Sequence, residues 1–337
     1  MPLCLCLPLW SSAALPGRPS YRPRIAETDE PWTTRKLLGW TTKRFGAAGL
    51  ESPRVRAEML LGHVLGCERL RLYMEAQRPA TPEELTRFRG LVQRALRHEP
   101  VDYLVGSTPF FSLTLGVSPA VLVPRPATET LVEHVLQEER AADLPSEEAA
   151  ADGEPGEPEP PAVRGSRELR IADVGTGSGA IALALAKHLP GAKLVATDVS
   201  PEALAVAAVN AEKLGLADRV VFREGSLLEP LAGERFDWVV SNPPYIPDAE
   251  WAEVEPGVKD HEPTLALRGG ADGLDLLRPL IAGVVGVLKP GGGVAFELAA
   301  SHAEAALGLA REAGWVQPRV LPDHERLPRV LVGRVPG

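Results

Sequence analysis

Cysteine is scarce in this sequence, with three among 337 residues. Cys4 and Cys6 stand near the start and Cys67 stands alone, so neither a disulfide framework nor a cluster of metal ligands is indicated. The seven histidines show no His-x-x-x-His or His/Cys pairing, and we expect no metal site. This cysteine usage suits a reducing compartment. We expect a cytoplasmic protein, or one of the mitochondrial matrix if the start is a transit peptide.

Long hydrophobic runs and an excess of basic charge are also lacking. No apolar stretch reaches the roughly 20 residues that span a bilayer, so we expect no membrane partner. The net charge is −9 at pH 7, and no basic stripe of the kind that binds duplex DNA is evident. We expect no direct nucleic-acid partner, and we expect a monomer.

Composition divides the chain into five regions. We predict a disordered leader at 1–30, a helical domain at 31–100, a hairpin and connecting helix at 101–137, a disordered acidic insertion at 138–168, and an α/β domain at 169–337. Residues 1–26 contain no acids, three arginines and several prolines, which fits either a transit peptide or a misassigned translation start. Residues 138–161 hold nine acids against one base, and such a segment cannot bury a core.

Residue spacing predicts the structure of the two larger regions. In 31–100, apolar residues recur at spacings of three and four, and Thr81-Pro82-Glu83-Glu84 is typical of a helix start. From Leu169 onward, predicted strands and helices alternate, which indicates a doubly wound, mostly parallel sheet. Within it we predict a helix over Leu274–Leu288 and a closing hairpin of Val316–Leu321 with Arg329–Val335.

A glycine-rich loop joins a predicted strand to a helix and indicates a nucleotide-like ligand. The loop reads Asp173-Val174-Gly175-Thr176-Gly177-Ser178-Gly179. Dinucleotide sites carry G-x-G-x-x-G, whereas this loop is G-x-G-x-G preceded by an acid, which suits a cationic sulfonium and would repel pyrophosphate. Asp198, at the end of the next strand, is placed to accept hydrogen bonds from ribose hydroxyls. The alternative role for Asp198 is an N-cap of the following helix, for which Ser200 is better placed.

A second motif, Ser241-Asn242-Pro243-Pro244-Tyr245, follows the strand predicted at Phe236–Val240. The lone pair of an amide or conjugated amine nitrogen is delocalised, so an enzyme that methylates it gains by holding both N–H groups. The Asn242 side-chain oxygen and the Pro243 carbonyl are suitable acceptors. The two prolines stiffen the loop, and Tyr245 can pack on a planar acceptor. Rigid acceptors of this kind are pre-organised for catalysis.

These motifs together resemble the release-factor glutamine methyltransferase family. The resemblance also includes Val121-Leu122-Val123-Pro124-Arg125-Pro126 and the block from His261 to Asp275, and it covers about Thr34–Val335. It implies a class I, Rossmann-like fold with seven strands and a helical N-terminal domain. It further implies that S-adenosyl-L-methionine donates a methyl group to the glutamine of the Gly-Gly-Gln loop of class 1 peptide chain release factors.

The resemblance also implies roles for individual residues. Gly175 to Gly179 would bind the methionine part of the cofactor, Asp198 its ribose, and Asn242 to Tyr245 the substrate glutamine. Phe110 would lie over the acceptor side chain. Three positions depart from the family pattern: Ala127 replaces an acid after Pro-Arg-Pro, Ser226 stands where many members have Asp facing the adenine, and Leu227 stands where a larger apolar residue often covers the adenine.

Three other functions remain open from the residues. An adenine amino-methyltransferase could use Asn-Pro-Pro-Tyr in the same way, because the amine it methylates is also conjugated. Such an enzyme needs a target-recognition domain and a basic surface, and neither is evident. A glutamine methyltransferase of a ribosomal protein would share all the motifs above. A cofactor-binding protein without catalysis would be indicated by loss of Asn242, which is present.

Overall fold

The computed structural model describes residues 31–142 and 168–337. The predicted leader and residues 143–167 of the predicted insertion lie outside this described part. Among the described residues, no helix combines the length and the apolar character that crossing a membrane requires.

The N-terminal region is helical, as its apolar spacing predicts. Its helices are α1 (Thr34–Ala47), α2 (Pro53–Leu65), α3 (Arg69–Met74), α4 (Pro82–Ala95) and α5 (Val101–Val105). The predicted start of α4 is confirmed: Thr81 accepts from the backbone of Glu84, and the Glu84 side chain accepts from the backbone of Thr81. Phe45, Leu60 and Phe88 are among the side chains that fill the core between these helices. Helical structure continues past residue 100 to Val105.

A hairpin and a long helix connect this region to the sheet. Strands β1 (Ser107–Phe110) and β2 (Leu113–Gly116) pair antiparallel, and α6 spans Pro126–Ala142. Residues 138–142, predicted to be disordered, are therefore the last turn of α6. The reason is tertiary contact, which composition does not reveal. Glu139 Oε1 accepts a hydrogen bond of 2.6 Å from the indole of Trp238, and Glu138 lies 2.7 Å from Arg334.

The α/β domain has the predicted doubly wound sheet. Its elements are β3 (Arg170–Val174), α7 (Ala180–His188), β4 (Lys193–Asp198), α8 (Pro201–Lys213), β5 (Val220–Glu224), β6 (Phe236–Ser241), α9 (Pro256–Lys259), α10 (Leu277–Gly283), β7 (Leu288–Glu297), α11 (Ala303–Glu312), β8 (Val316–Pro322) and β9 (Pro328–Arg334). In the described chain, seven strands form one sheet in the order β5-β4-β3-β6-β7-β9-β8. The first five are parallel, and the predicted β8–β9 hairpin adds antiparallel to β7.

One predicted helix is too long. The helix predicted over Leu274–Leu288 is only α10, followed by a short 3₁₀ turn, and Leu288 already begins β7. Leu288 pairs with Phe236 on β6, so sheet pairing overrides the helical spacing of the apolar residues. An ion pair at 2.7 Å between Lys289 and the buried carboxylate of Asp237 holds the same end of β7.

Apolar layers cover both faces of the sheet and bring three strand ends together. Helices α6 and α7 form one core with Ile171 and Trp238, and α10 and α11 form the other with Phe236 and Phe296. Strand β3 lies between β4 and β6. The strand order along the chain runs one way from β3 to β4 and β5 and the other way from β3 to β6 and β7. The carboxyl ends of these strands therefore open into a crevice, which is where α/β proteins bind ligands.

Candidate active site

A cavity of about 310 Å³ opens at the carboxyl ends of β3, β4 and β6. Both motifs that the sequence singles out reach it. The predicted site residues along its wall are Gly175, Thr176, Gly177, Ser178, Asp198, Ser226, Leu227, Asn242, Pro243 and Pro244. Asp173, Gly179, Tyr245 and Phe110 do not line it. The volume lies at the small end of the range for ligand sites, roughly 300–1,000 Å³.

The glycine loop takes a backbone path that other residues would strain. Gly175, Gly177 and Gly179 have φ of 71°, 55° and 83°, in the left-handed region. A Cβ on Gly179 would lie 3.0 Å from Leu183 Cδ1 and 3.3 Å from Ala207 Cβ, so Gly179 allows the loop to pack closely on α7 and α8. It contributes to the site through this packing.

Asp173, the acid expected to suit a cationic sulfonium, does not line the cavity and stabilises the glycine loop through hydrogen bonds. Its Oδ2 accepts hydrogen bonds from the Thr176 hydroxyl at 2.7 Å and from the Ala182 backbone at 3.1 Å. The side chain is fully buried, and burial raises the pKa of this carboxyl to about 7. The hydrogen bonds oppose that shift, while the nearby charge of Asp198 adds to it.

Asp198 presents its carboxylate to the cavity in a defined orientation. Its Oδ2 accepts from the backbone of Gly177 at 2.9 Å, and its Oδ1 accepts from the backbone of Ser200 at 3.0 Å. The N-cap of α8 is Ser200, whose hydroxyl accepts from the backbone of Ala203 at 3.1 Å. The capping role therefore belongs to Ser200, and Asp198 keeps lone pairs for a ligand.

The loop after β5 forms an apolar part of the wall. Gly225 donates its backbone N–H to the carbonyl of Asp198 at 3.0 Å, which holds this loop against the end of β4. Leu227 has φ of 50°, an unusual conformation for a leucine, and lines the cavity together with Ser226 and Leu280.

Asn242 follows β6 with its side chain already oriented. The Ser241 hydroxyl donates to the Val174 carbonyl at 2.7 Å, which ties the end of β6 to β3. The side-chain nitrogen of Asn242 donates to the Thr128 hydroxyl at 3.2 Å. Since the nitrogen is used in this way, the side-chain oxygen is the end that Asn242 offers as an acceptor.

A buried acid, Glu297, lies beside this motif and was missed by the sequence analysis. It ends β7, is fully buried, and accepts a hydrogen bond of 3.5 Å from the Tyr245 hydroxyl. Burial raises the pKa of Glu297, and it also raises the pKa of Tyr245 to about 12. One signal in the sequence could have indicated Glu297: it is an acid directly after the apolar run Val294–Phe296, on the strand next to β6.

An ion pair between the half-buried Arg125 and the buried Glu262 connects two further sequence blocks beside the cavity. Arg125 Nη2 lies 2.5 Å from Glu262 Oε1, and the backbone of Val123 donates to Glu262 Oε2 at 3.3 Å. Burial raises the pKa of Glu262 while Arg125 opposes the shift. The Tyr103 hydroxyl donates to the Val121 carbonyl at 2.5 Å, so the helical region also holds this loop in place.

Phe110 does not line the cavity. Its ring is 2% exposed and packs with Leu113, Leu115 and Leu131 in the core beneath the hairpin. Alternation along β1 places Thr108 and Phe110 on the inner face, so the hairpin needs this ring for its own packing. The expectation that Phe110 lies over the acceptor side chain stays a prediction.

The fold and the site together define a class I methyltransferase. Two family models agree: the PrmC N-terminal domain matches residues 36–106, and the methyltransferase small domain matches residues 162–254. Methyltransferases of this kind depend in general on S-adenosylmethionine.

Full-length relatives identify the family. The chain is 40% identical to a release factor glutamine methyltransferase of Geobacter sulfurreducens, over 92% of this chain and 100% of that protein. It is 42% identical to that of Moorella thermoacetica, over 87% of this chain and 95% of that protein. It is 43% identical to that of Xylella fastidiosa, over 84% of this chain and 94% of that protein. The chain belongs to the release factor glutamine methyltransferase family.

Proposed function

We propose that this protein transfers a methyl group from S-adenosyl-L-methionine to the side-chain amide nitrogen of the glutamine in the Gly-Gly-Gln loop of class 1 release factors. The observation that carries the proposal is the orientation of Asn242. Its nitrogen is bound to Thr128, so its oxygen is left as an acceptor at the wall of the cavity that also contains the glycine loop and Asp198.

The residues around the cavity fit this cofactor. The Asp198 carboxylate suits ribose hydroxyls, the loop Gly175–Gly179 lets the backbone approach the methionine part closely, and Leu227 and Leu280 offer apolar surface to an adenine. The negative charge of Asp198 also favours a cationic ligand, because opposite charges attract. When bound, the cofactor supplies an electrophilic methyl group on a sulfonium.

The substrate amide is held by acceptors only. The Asn242 oxygen and the Pro243 carbonyl accept its two N–H groups, and the rigid Pro243-Pro244 backbone keeps them in place. Tyr245, whose hydroxyl donates a hydrogen bond to Glu297, supports the loop. The nitrogen lone pair then forms the new C–N bond, the electrons of the S–CH₃ bond return to sulfur, and one N–H proton leaves to water.

The test is methyl transfer to a purified class 1 release factor, with its Gly-Gly-Asn variant as the control substrate. We expect methylation of the glutamine form alone, because asparagine is one methylene shorter and its nitrogen does not reach the acceptors. Mass spectrometry of the digested release factor locates the methyl group. Labelling of nucleic acid or of a ribosomal protein instead would replace this proposal with one of the alternatives.

A further inference from the structure

Two segments that are far apart in the sequence line the same cavity, and neither belongs to a strand or an α-helix. The first is the loop 118–125 between β2 and α6, and the second is the segment 262–266. Without a sheet or a helix to fix them, both segments depend on side-chain contacts for their position. Their residues along the cavity wall include Ala120, Val121, Leu122 and Pro124 in the loop, and Pro263 and Leu265 in the segment.

Glu262 joins the two segments. Its side chain is buried, its Oε1 lies 2.5 Å from Arg125 Nη2, and its Oε2 accepts from the backbone of Val123 at 3.3 Å. The carboxyl group thus binds the loop on both sides of Pro124, and Pro263, the next residue after Glu262, lines the cavity itself. The contact between the two segments therefore lies directly beside the space that a ligand would fill.

Tyr103 holds the same loop from the helical region. It lies in α5, its hydroxyl donates to the Val121 carbonyl at 2.5 Å, and its ring packs with Val117, Val121 and Ala203. Burial raises the pKa of Tyr103, so the hydroxyl keeps its proton and remains a donor. Tyr103 and Glu262 do not line the cavity, and each acts on it through residues of the loop.

Contacts that hold a loop in its bound position before a ligand arrives raise the affinity for that ligand. When a loop is correctly placed only part of the time, the apparent affinity falls by that fraction. Ordering a loose loop during binding also costs conformational entropy. The loop 118–125 is bound at residues 121, 123 and 125, so its cavity-lining residues are ordered in advance.

We propose that Glu262 and Tyr103 are positioning residues that hold the loop 118–125 against the bound cofactor, and this inference rests on the cofactor of the proposed function. None of the described residues 31–106 lines the cavity. Through Tyr103, the helical region nevertheless contributes to the binding of S-adenosylmethionine. The affinity for the cofactor therefore depends on both parts of the molecule.

The helical region offers a matched control for each residue. Glu58 is buried like Glu262 and pairs with Arg54 at 3.0 Å, and the Tyr73 hydroxyl donates to Glu58. Glu58→Gln and Tyr73→Phe therefore remove the same groups as Glu262→Gln and Tyr103→Phe. The hydrogen bonds that these control variants lose lie within the helical region and do not involve the loop 118–125.

The experiment measures the Kd of S-adenosylhomocysteine by titration calorimetry on the full chain, and kcat at saturating S-adenosylmethionine. Glu262→Gln places an NH₂ group against one of the two N–H donors and should raise Kd roughly 5- to 50-fold. Tyr103→Phe removes one hydrogen bond and should raise Kd roughly 2- to 10-fold. Both control variants should stay within about twofold of the wild type. The kcat should change less than about threefold in every variant, because saturating cofactor compensates for weaker binding.

Unchanged Kd in Tyr103→Phe and Glu262→Gln overturns the inference, and so do control variants that weaken binding as strongly. A fall in kcat with normal Kd also overturns it, because the two residues would then act on the chemical step. Tyr103→Phe keeps the packing of the ring, so the test stands even if Glu262→Gln does not fold. A wild-type enzyme that binds the cofactor but does not methylate release factor removes the proposed substrate alone, and one that binds no cofactor removes both.

Discussion

Asp198→Ala should weaken cofactor binding by a predictable amount. Both carboxylate oxygens already accept backbone N–H groups, at 2.9 Å from Gly177 and 3.0 Å from Ser200, so the carboxylate is held in position before any ligand arrives. Hydrogen bonds to a charged acceptor contribute about 1.5–3 kcal/mol each. Water can replace part of this at a partly exposed site, so we expect a loss of about 1–3 kcal/mol, or roughly 5- to 150-fold in Kd.

The assay is titration calorimetry with S-adenosylhomocysteine and with its 2′,3′-dideoxy analogue, which lacks the ribose hydroxyls. If Asp198 binds those hydroxyls, the dideoxy analogue loses affinity for the wild type but loses little more in Asp198→Ala. If the variant merely loosened the glycine loop through Gly177, the two losses would add. Asp218→Ala, which removes an exposed carboxylate away from the cavity, is the control. Unchanged affinity in Asp198→Ala refutes the ribose role.

Three further predictions concern Asn242, Asp173 and the end of α6. Asn242→Ala should bind S-adenosylmethionine normally in calorimetry yet transfer methyl about 10²–10³ times more slowly; normal turnover would make the loop merely structural. Because burial raises the pKa of Asp173 to about 7, its ionisation costs stability as pH rises from 3.8 towards that value. The Tm of Asp173→Asn relative to that of the wild type should therefore be higher at pH 8 than at pH 5. An equal difference in Tm at the two pH values would contradict this. Replacing 143–167 by a Gly-Ser linker should leave Tm nearly unchanged, whereas removing 138–167 should lower it by several degrees; equal values would mean that Glu139 does not stabilise the sheet.

The sequence was informative wherever function depends on a short segment at the end of a strand. The glycine loop, Asp198 and Asn-Pro-Pro-Tyr each follow a strand, and parallel strands bring their carboxyl ends to one edge. The sheet itself was predictable because apolar strands alternate with helices. Each of these features lies within a short stretch of sequence. The order of residues in that stretch therefore already determines which of them lie close together in the fold.

The missed and wrong assignments all depend on contacts between distant parts of the chain. Thr128 and Asn242 are 114 residues apart, and no local pattern connects them. The last turn of α6 exists because Glu139 reaches the indole of Trp238, 99 residues further on. The burial of Phe110 in the core under the hairpin likewise depends on Leu131 of α6, which no local pattern connects to β1.

Helix α6 precedes residues 143–167 in the chain but packs on the sheet that follows them. Leu131, Val132 and Val135 are fully buried in the same core as Ile171. A polypeptide that begins at residue 168 would expose that core, so the second family match does not mark a unit able to fold alone. Conversely, a backbone cut between 142 and 168 should leave two fragments that each need the other. Their reassociation would rebuild the shared core and the hydrogen bond from Asn242 of one fragment to Thr128 of the other.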